Sequence, residues 1–287
     1  MCNTIFPNMK DIKNKKVPTV LSIAGFDGSG GAGLQADSKT ISSLGCYPLN
    51  VISALPVQNT QGVRSIYNIP KQAVLDQLNC LFDDTYPDAI KIGMIPNIEM
   101  VEIISYFLKS YKGIIIYDPV MVSSSGHKLM KDNSIEAIKT LLFPITTLIT
   151  PNLDEISVLL NKQISKFEDM EEVSSIVLEL GANAILMKSG HLKSELLTSI
   201  LIEKNKTAKY YHSIKIETNN THGTGCTLSS AIASYMALGE SLPSAVGKAT
   251  EYVNQAILYS KELLIGKGNG PLNHFFNPNK LISIDID

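Results

Sequence analysis

Three observations predict an α/β fold built on a doubly wound, mostly parallel sheet with helices on both faces. Short apolar runs rich in Ile, Val and Leu recur along the chain, each stopped by Gly, Pro or Asp, and most lead into apolar residues at helical spacing. One run passes through the glycine-rich turn Gly25–Gly33 into a helical pattern, the layout that puts a ligand at the carboxyl edge of a parallel sheet. No repeat, linker or low-complexity stretch interrupts the 287 residues, a length that one large α/β domain fills. A single domain is therefore expected over residues 17–287, behind a disordered tail at 1–16.

In order, Val17–Ala24 is a β-branched run ending at Gly25 and reads as a buried parallel strand. Leu34, Ala36, Ile41 and Leu44 mark the helix that follows, and Leu49–Val57 is the second strand, leading to Gln58. Ala89–Met94 is a strand, Ile98–Leu108 a helix, and Gly113–Tyr117 a strand that stops at Asp118-Pro119. Leu148–Thr150 is stopped by Pro151, and the next helix opens with Asn152 near its start and Glu155 in its first turn. Val173–Leu180 is expected as a helix, Ala184–Lys188 as a strand, and Leu196–Ile202 with Tyr210–Ile216 as a β-ribbon. Thr227–Leu238 and Pro243–Leu264 are expected as long helices covering the sheet.

Composition narrows the partner. With 44% hydrophobic and 18% charged residues the chain can bury a sizeable core. The 25 Lys and Arg against 27 Asp and Glu leave a formal charge of −2 with no basic run, which argues against nucleic-acid and membrane-surface roles and for a small, anionic or phosphorylated partner. Cys2, Cys46, Cys80 and Cys226 are scattered, with no C-x-x-C, so neither a zinc site nor a disulfide framework is signalled and a reducing, cytoplasmic setting is expected. The opening residues carry Lys10, Lys13, Lys15 and Lys16 without an apolar secretory core; Asp11 is present while Arg and Ser are absent, against a transit peptide.

The chemistry concentrates in Asn219-Asn220-Thr221-His222-Gly223-Thr224-Gly225-Cys226-Thr227, which runs into the small, apolar stretch Leu228–Leu238. Glycines let backbone N–H groups approach a ligand, and the free N–H groups of a helix start attract anions; together they make an oxyanion or phosphate site. Gly28, Gly30 and Gly33 match G-x-G-x-x-G, but the acid that fingerprint wants about 20 residues on is missing: no Asp or Glu lies between Asp37 and Asp76. No G-K-[ST] occurs, so there is no Walker A loop either.

Several ordered stretches then carry a family resemblance: Ile23-Ala24-Gly25-x-Asp27-x-Ser29-Gly30-Gly31-Ala32-Gly33-x-Gln35-Ala36-Asp37, Gln58-Asn59-Thr60-Gln61-Gly62-Val63, Lys91-Ile92-Gly93-Met94 and Asp118-Pro119-Val120-Met121-Val122. Thr150-Pro151-Asn152-Leu153-x-Glu155, Met187-Lys188-x-Gly190-His191, Asn220–Thr227 and Gly268-x-Gly270-Pro271 extend it. From about Val17 to Phe276 the chain resembles the hydroxymethylpyrimidine/phosphomethylpyrimidine kinases of thiamine biosynthesis, in the ribokinase-like fold. The resemblance implies phosphoryl transfer from ATP, with Mg²⁺, to an aminopyrimidine alcohol and then to its monophosphate, by a homodimer. It makes Cys226 the general base, where sugar kinases of this fold carry Asp, and makes Gly223, Thr224 and Gly225 donors to the phosphoryl oxygens. It puts Gln58 on the pyrimidine edge, Asp37 near the hydroxymethyl group, Gly25, Ala32 and Met94 along the pocket, and Asp118, Asn152, Lys188 and Thr224 around the ATP phosphates. Glu155 and Asp118 are the implied metal-side residues.

Each position also has a plainer reading. Cys226 suits a small packed residue, although a thiol at a helix N-terminus is expected to have its pKa lowered toward neutrality. Asn152 and Glu155 suit a capping box, Gln58 a surface turn, Met94 the core, and Lys188 a solvated lysine. Phe26 and Pro56-Val57 depart from the family pattern beside the pocket and are expected to narrow it or shift Gln58. Ser123–His127 is expected as a mobile flap. A pyridoxal kinase of the same fold is the rival substrate reading, and a non-catalytic sensor of pyrimidine or nucleotide the rival class.

Overall fold

The first apolar run lies inside the sheet rather than at its edge. The computed structural model describes residues 15–121, 134–190 and 194–285. Chain order begins β1 (Lys15–Lys16), β2 (Thr19–Gly25), α1 (Gly33–Ser43), β3 (Tyr47–Asn59), β4 (Gly62–Asn68), α2 (Lys71–Asp84), β5 (Ala89–Ile92), α3 (Ile98–Leu108) and β6 (Ile114–Tyr117). It continues with α4 (Ser134–Ala137), which runs into a π turn at Ile138–Leu142, then β7 (Leu148–Ile149), α5 (Leu153–Leu160), α6 (Phe167–Val173) and β8 (Ala184–Met187). The hairpin β9 (Leu196–Glu203) and β10 (Lys209–Ile214), the helices α7 (Thr224–Ala237) and α8 (Leu242–Leu258), and β11 (Ile284–Asp285) complete it.

The main sheet has nine strands in the order β10-β9-β8-β7-β6-β5-β2-β3-β4. Those from β3 through β2, β5, β6 and β7 to β8 are mutually parallel, and β4, β9 and β10 are antiparallel additions. The chain steps from β2 to β3 on one side and returns through α2 to β5 on the other. The carboxyl ends of β2 and β5 therefore flank a topological switch point, where such sheets bind ligands. Solved structures discussed below share this mixed, mostly parallel architecture.

Side-chain alternation explains why both faces are covered. Leu21, Ile23, Ile90 and Ile92 meet Leu78 of α2 and Val101 and Ile104 of α3 on one face. Val20, Ala89 and Ile116 meet Ile41 of α1, Ile232 of α7 and Val253 of α8 on the other. Fully burying a side chain such as Leu78 or Ile104 contributes about 1.5–3 kcal/mol. The charged exception within the central strands is Lys91, which occupies a strand whose four residues are all buried.

Four sequence expectations change. The helix expected over Val173–Leu180 is instead the end of α6 at Val173 and a short 3₁₀ turn at Val177–Leu180. Ser174 explains the break, because its Oγ donates to the carbonyl of Glu171 at 2.7 Å and competes with helix continuation. The last helix stops at Leu258 rather than Leu264; Asn220 Nδ2 takes the carbonyls of Ser260 and Leu263 at 2.5 and 2.8 Å, which holds the following turns out of the helix. Strand β4 and helix α2 were not anticipated. Lys15 and Lys16, expected in the tail, pair antiparallel with Asp285 and Ile284. The rest of that tail, the expected flap Ser123–His127 and His191 lie outside the described residues.

Candidate active site

The two glycine-rich turns, far apart in sequence, meet at the carboxyl edge of the sheet. Asp27 organises the first. Its Oδ1 accepts the Ser29 N–H at 2.9 Å and the Ser29 hydroxyl at 2.7 Å. Oδ2 accepts the Gly31 and Ala32 N–H groups at 3.1 and 2.7 Å and faces His222 Nε2 of the second turn at 2.9 Å. Burial pushes this carboxyl up, but the hydrogen bonds, led by that from His222, more than offset it and hold Asp27 down at about 2. Asp27 is therefore an ionised acceptor, and His222 Nε2 must carry the proton between them.

Backbone meets backbone beside this pair. Gly223 has φ +86°, a left-handed conformation, and a Cβ there would overlap the carbonyl oxygen of Gly31. Any side chain at 223 would part the two turns. Immediately afterwards α7 begins at Thr224, so the N–H groups of Gly225 and Cys226 have no acceptor within the helix and are available to an anion.

One cavity of about 520 Å³ runs past both turns. At one end its wall is formed by Gly25, Ala32, Pro56, Gln58 and Met94. Gln58 lies at an irregularity in the β3–β4 pairing, between Val57 and Gln58, a device that re-aims a side chain. Its amide has no hydrogen-bond partner among the described residues, which leaves both its donor and its acceptor for a ligand. At the other end the wall passes from Asp118, Asn152, Glu155 and Lys188 to Asn254 and Ile257 of α8. The turn from Gly223 to Cys226 lies between.

The polar end is a charge cluster on strand ends. Lys188 follows β8 and donates to Asp118 Oδ1 at 2.9 Å, and the Thr150 hydroxyl donates to the same oxygen at 3.1 Å. Asn152 and Glu155 form a full capping box: Asn152 Oδ1 accepts the Glu155 N–H at 2.9 Å and Glu155 Oε2 accepts the Asn152 N–H at 2.7 Å. Burial raises the Glu155 carboxyl to about 7; Lys188 pulls it down and the neighbouring charge of Asp118 pushes it up again. Lys188 thus pairs directly with Asp118 alone, and its charge reaches Glu155 only at a distance. Hard oxygen donors short of positive charge fit Mg²⁺, which is held by one or two carboxylates with water and phosphate oxygens completing its shell. Among the described residues no group of three His, Cys, Asp or Glu gathers as an all-protein metal cage would.

For two of the expected site residues the surroundings differ from those the sequence suggests. Asp37 is not on the cavity wall: it is 0% exposed, and its carboxylate is taken by Lys91 Nζ at 2.7 and 2.9 Å, by the Ser22 hydroxyl and by the Ser230 hydroxyl at 2.7 Å. It ties α1 to β2, β5 and α7 beneath the pocket, so it sits behind the wall, one layer below the surface a ligand would meet. Cys226 does line the cavity, but its thiol is pushed up to about 11 rather than down. Desolvation dominates; Lys91 and the Gly33 N–H favour the thiolate, while Asp37 and Asp118 oppose it. Phe26 is not part of the wall, so of the departures beside the pocket Pro56 is the one that shapes it, packing against Gly25.

Lys91, Ser230 and the Asp27–His222 pair were not singled out from sequence. Lys91 had a signal, since a lysine inside a four-residue apolar strand must find a buried counter-charge.

Over residues 27–273 the chain matches the family described as Phosphomethylpyrimidine kinase. It is 39% identical over 256 residues to a hydroxymethylpyrimidine/phosphomethylpyrimidine kinase of Rhizobium meliloti, covering 89% of this chain and 96% of that one. The chain spans about half the length of the bifunctional thiamine-biosynthesis relatives it matches, 54% of the one from Geobacter sulfurreducens at 40% identity. A solved phosphomethylpyrimidine kinase from Clostridium difficile is 40% identical, with a TM-score of 0.73 over 84% of this chain and 100% of that one. A Bacillus subtilis pyridoxal kinase solved with ADP is 31% identical, with a TM-score of 0.82 over 90% and 98%.

Proposed function

The chain belongs to the phosphomethylpyrimidine kinase family, and from that premise we propose that it transfers the γ-phosphoryl group of ATP to 4-amino-5-hydroxymethyl-2-methylpyrimidine and then to the resulting monophosphate, in thiamine biosynthesis. The observation that carries this is the single cavity with Gln58 at one end, the Asp118–Lys188–Glu155 cluster at the other and the Gly223–Cys226 turn between them.

In this reading the Gln58 amide pairs with the ring nitrogen and exocyclic amine of the pyrimidine, and Met94, Ala32 and Gly25 close around the ring. The hydroxymethyl oxygen then faces the turn. As its bond to the γ-phosphorus forms and the bond to the β,γ-bridging oxygen breaks, the N–H groups of Gly225 and Cys226 and the dipole of α7 hold the phosphoryl oxygens. The hydroxyl proton passes to Cys226 Sγ in its thiolate form. Lys188, Thr224 and Asn152 steady the phosphates of ATP, with Asp118 and Glu155 the residues that would hold Mg²⁺. That ion would neutralise phosphate charge.

Asp37 supports this arrangement from below through Lys91 and Ser230. We further infer one domain over residues 17–287, a homodimer and a cytoplasmic location. The free edge of β4, with exposed Tyr67 on it and exposed Leu55 and Val57 on the adjoining β3, supports the dimer. The scattered cysteines, and the lack among the described residues of a helix long and apolar enough to cross a membrane, agree with the location.

Likeness to a pyridoxal kinase makes pyridoxal the competing substrate. Parallel ATP-dependent assays on the pyrimidine alcohol and on pyridoxal separate the two: the pyrimidine is expected to have the higher kcat/KM, and a preference for pyridoxal of about tenfold or more overturns the assignment.

A further inference from the structure

The glycine-rich stretch 266–271 has no part in the scheme above, yet it touches both sides of the site. Thr60 occupies the turn between β3 and β4, just beyond Gln58. Its carbonyl accepts the Asn269 N–H at 2.9 Å, and its Oγ1 accepts the N–H groups of Lys267 and Gly268 at 3.2 Å each. The fit is close enough that a Cβ at Gly268 would overlap the Thr60 carbonyl. Further along, the Gly270 carbonyl accepts the His222 N–H at 3.0 Å, and His222 is the residue whose imidazole meets Asp27. An unbroken series of contacts thus runs from the hairpin tip through 267–270 to the turn that carries Cys226.

Within this chain the tip has few other ties beyond the β3–β4 pairing itself. Strand β4 is the edge of the sheet, and Leu55, Val57 and Tyr67 of the hairpin are exposed. Pro56 is buried against Gly25, but from Gln58 to Gly62 the hairpin is only half-buried or exposed, so within this chain the hydrogen bonds of Thr60 are what tie its tip to the side of the site that carries the Cys226 turn.

We propose that Thr60 is a positioning residue for substrate selection, clamping the Gln58 hairpin to segment 267–270 and so setting the span between Gln58 and the Gly223–Cys226 turn that the pyrimidine must bridge. This deepens, and rests on, the pyrimidine reading of the site. Valine keeps the shape of Thr60 and cannot accept the two N–H groups, while serine keeps the acceptor.

The test is steady-state kinetics of Thr60→Val and Thr60→Ser, with amide hydrogen exchange on the ligand-free proteins. Thr60→Val is expected to raise KM for the pyrimidine alcohol about fivefold to tenfold, with KM for ATP and kcat within about twofold and Thr60→Ser near wild type throughout. Exchange is expected to quicken in Thr60→Val in both 57–62 and 267–270 and to stay unchanged in α7. An unaltered pyrimidine KM in Thr60→Val, or equal rises in both KM values with no rescue by serine, overturns the proposal. Should the wild type not phosphorylate the pyrimidine at all, the substrate reading falls on its own. Exchange then decides for Thr60: paired loss of protection in the two segments upholds the clamp, and unchanged protection overturns it.

Discussion

Replacing Asp27 by Asn tests whether the meeting of the two glycine turns rests on one ionised carboxylate. Asp27 is wholly buried, and in the fold it is held at about 2 against an ordinary 3.8. At about 1.4 kcal/mol for each tenfold change, that difference favours the folded state by about 2 kcal/mol at neutral pH. The sign follows from the direction. A carboxyl depressed by folding contributes fully above its unfolded value near 3.8 and loses that contribution as the pH falls toward 2. Asparagine has the same shape but does not titrate, and its NH₂ group meets N–H donors where Asp27 offered an acceptor. Urea unfolding of the two proteins should therefore show Asp27→Asn less stable by about 2–4 kcal/mol at pH 7, with the gap narrowing by about 2 kcal/mol as the pH is lowered from 5 toward 2. Carbon-13 titration of the Asp27 side chain should give a midpoint well under 3.8. A gap that stays constant with pH, or a midpoint at or above the ordinary value, would refute the reasoning.

Two further perturbations bear on the buried chemistry. If Cys226 takes the proton as a thiolate, a thiol held near 11 ionises tenfold more with each pH step, so wild-type kcat/KM should climb between pH 7 and 10. Cys226→Ala should lose about 10²-fold or more and show no such climb; full activity in that variant would remove the base role. Lys91→Met leaves Asp37 charged and unpaired in a dry site and should cost about 3–5 kcal/mol in chemical denaturation, most of it restored by adding Asp37→Leu. A Lys91→Met protein within about 1 kcal/mol of wild type would show that the pair is not a buried charge pair in solution.

How much of this was legible in the sequence depends on what kind of information each residue carries. The parallel strands were readable because burial on both faces makes each a continuous apolar run with a hard stop at Gly25, Asp118 or Pro151. Strand β4 was not: at the sheet edge Arg64, Ser65 and Asn68 face water, so no alternation survives to mark it. Helix α2 follows Pro70, a start signal, but buries only Val74 and Leu78 fully, too thin a stripe to stand out.

In the site, the glycine turns were visible because their geometry admits no side chain, and the walls at Gln58, Met94, Asp118 and Lys188 followed from the motifs around them. The surroundings of Asp37 and Cys226 were not legible for one shared reason. Whether a carboxylate meets ligand or a lysine, and whether a thiol is acidified by a helix start or neutralised by burial, is decided by groups brought together from β2, β5, α1 and α7. Local spacing does not contain that information.

The clasp between Asp27 and His222 joins residues 195 positions apart. Neither turn can acquire its shape from neighbours alone, because the bend at Gly223 is moulded against the carbonyl of Gly31 and the first turn is closed by the imidazole of the second. The anion cradle is thus a product of long-range docking, a contact of high sequence separation that neither turn can supply locally. A nascent chain still lacking α7 would carry the whole of the first loop's sequence and no nucleotide-binding capacity. Affinity for an anion at this cradle should therefore appear only once α7 has docked on the first turn, not build up with the first turn alone.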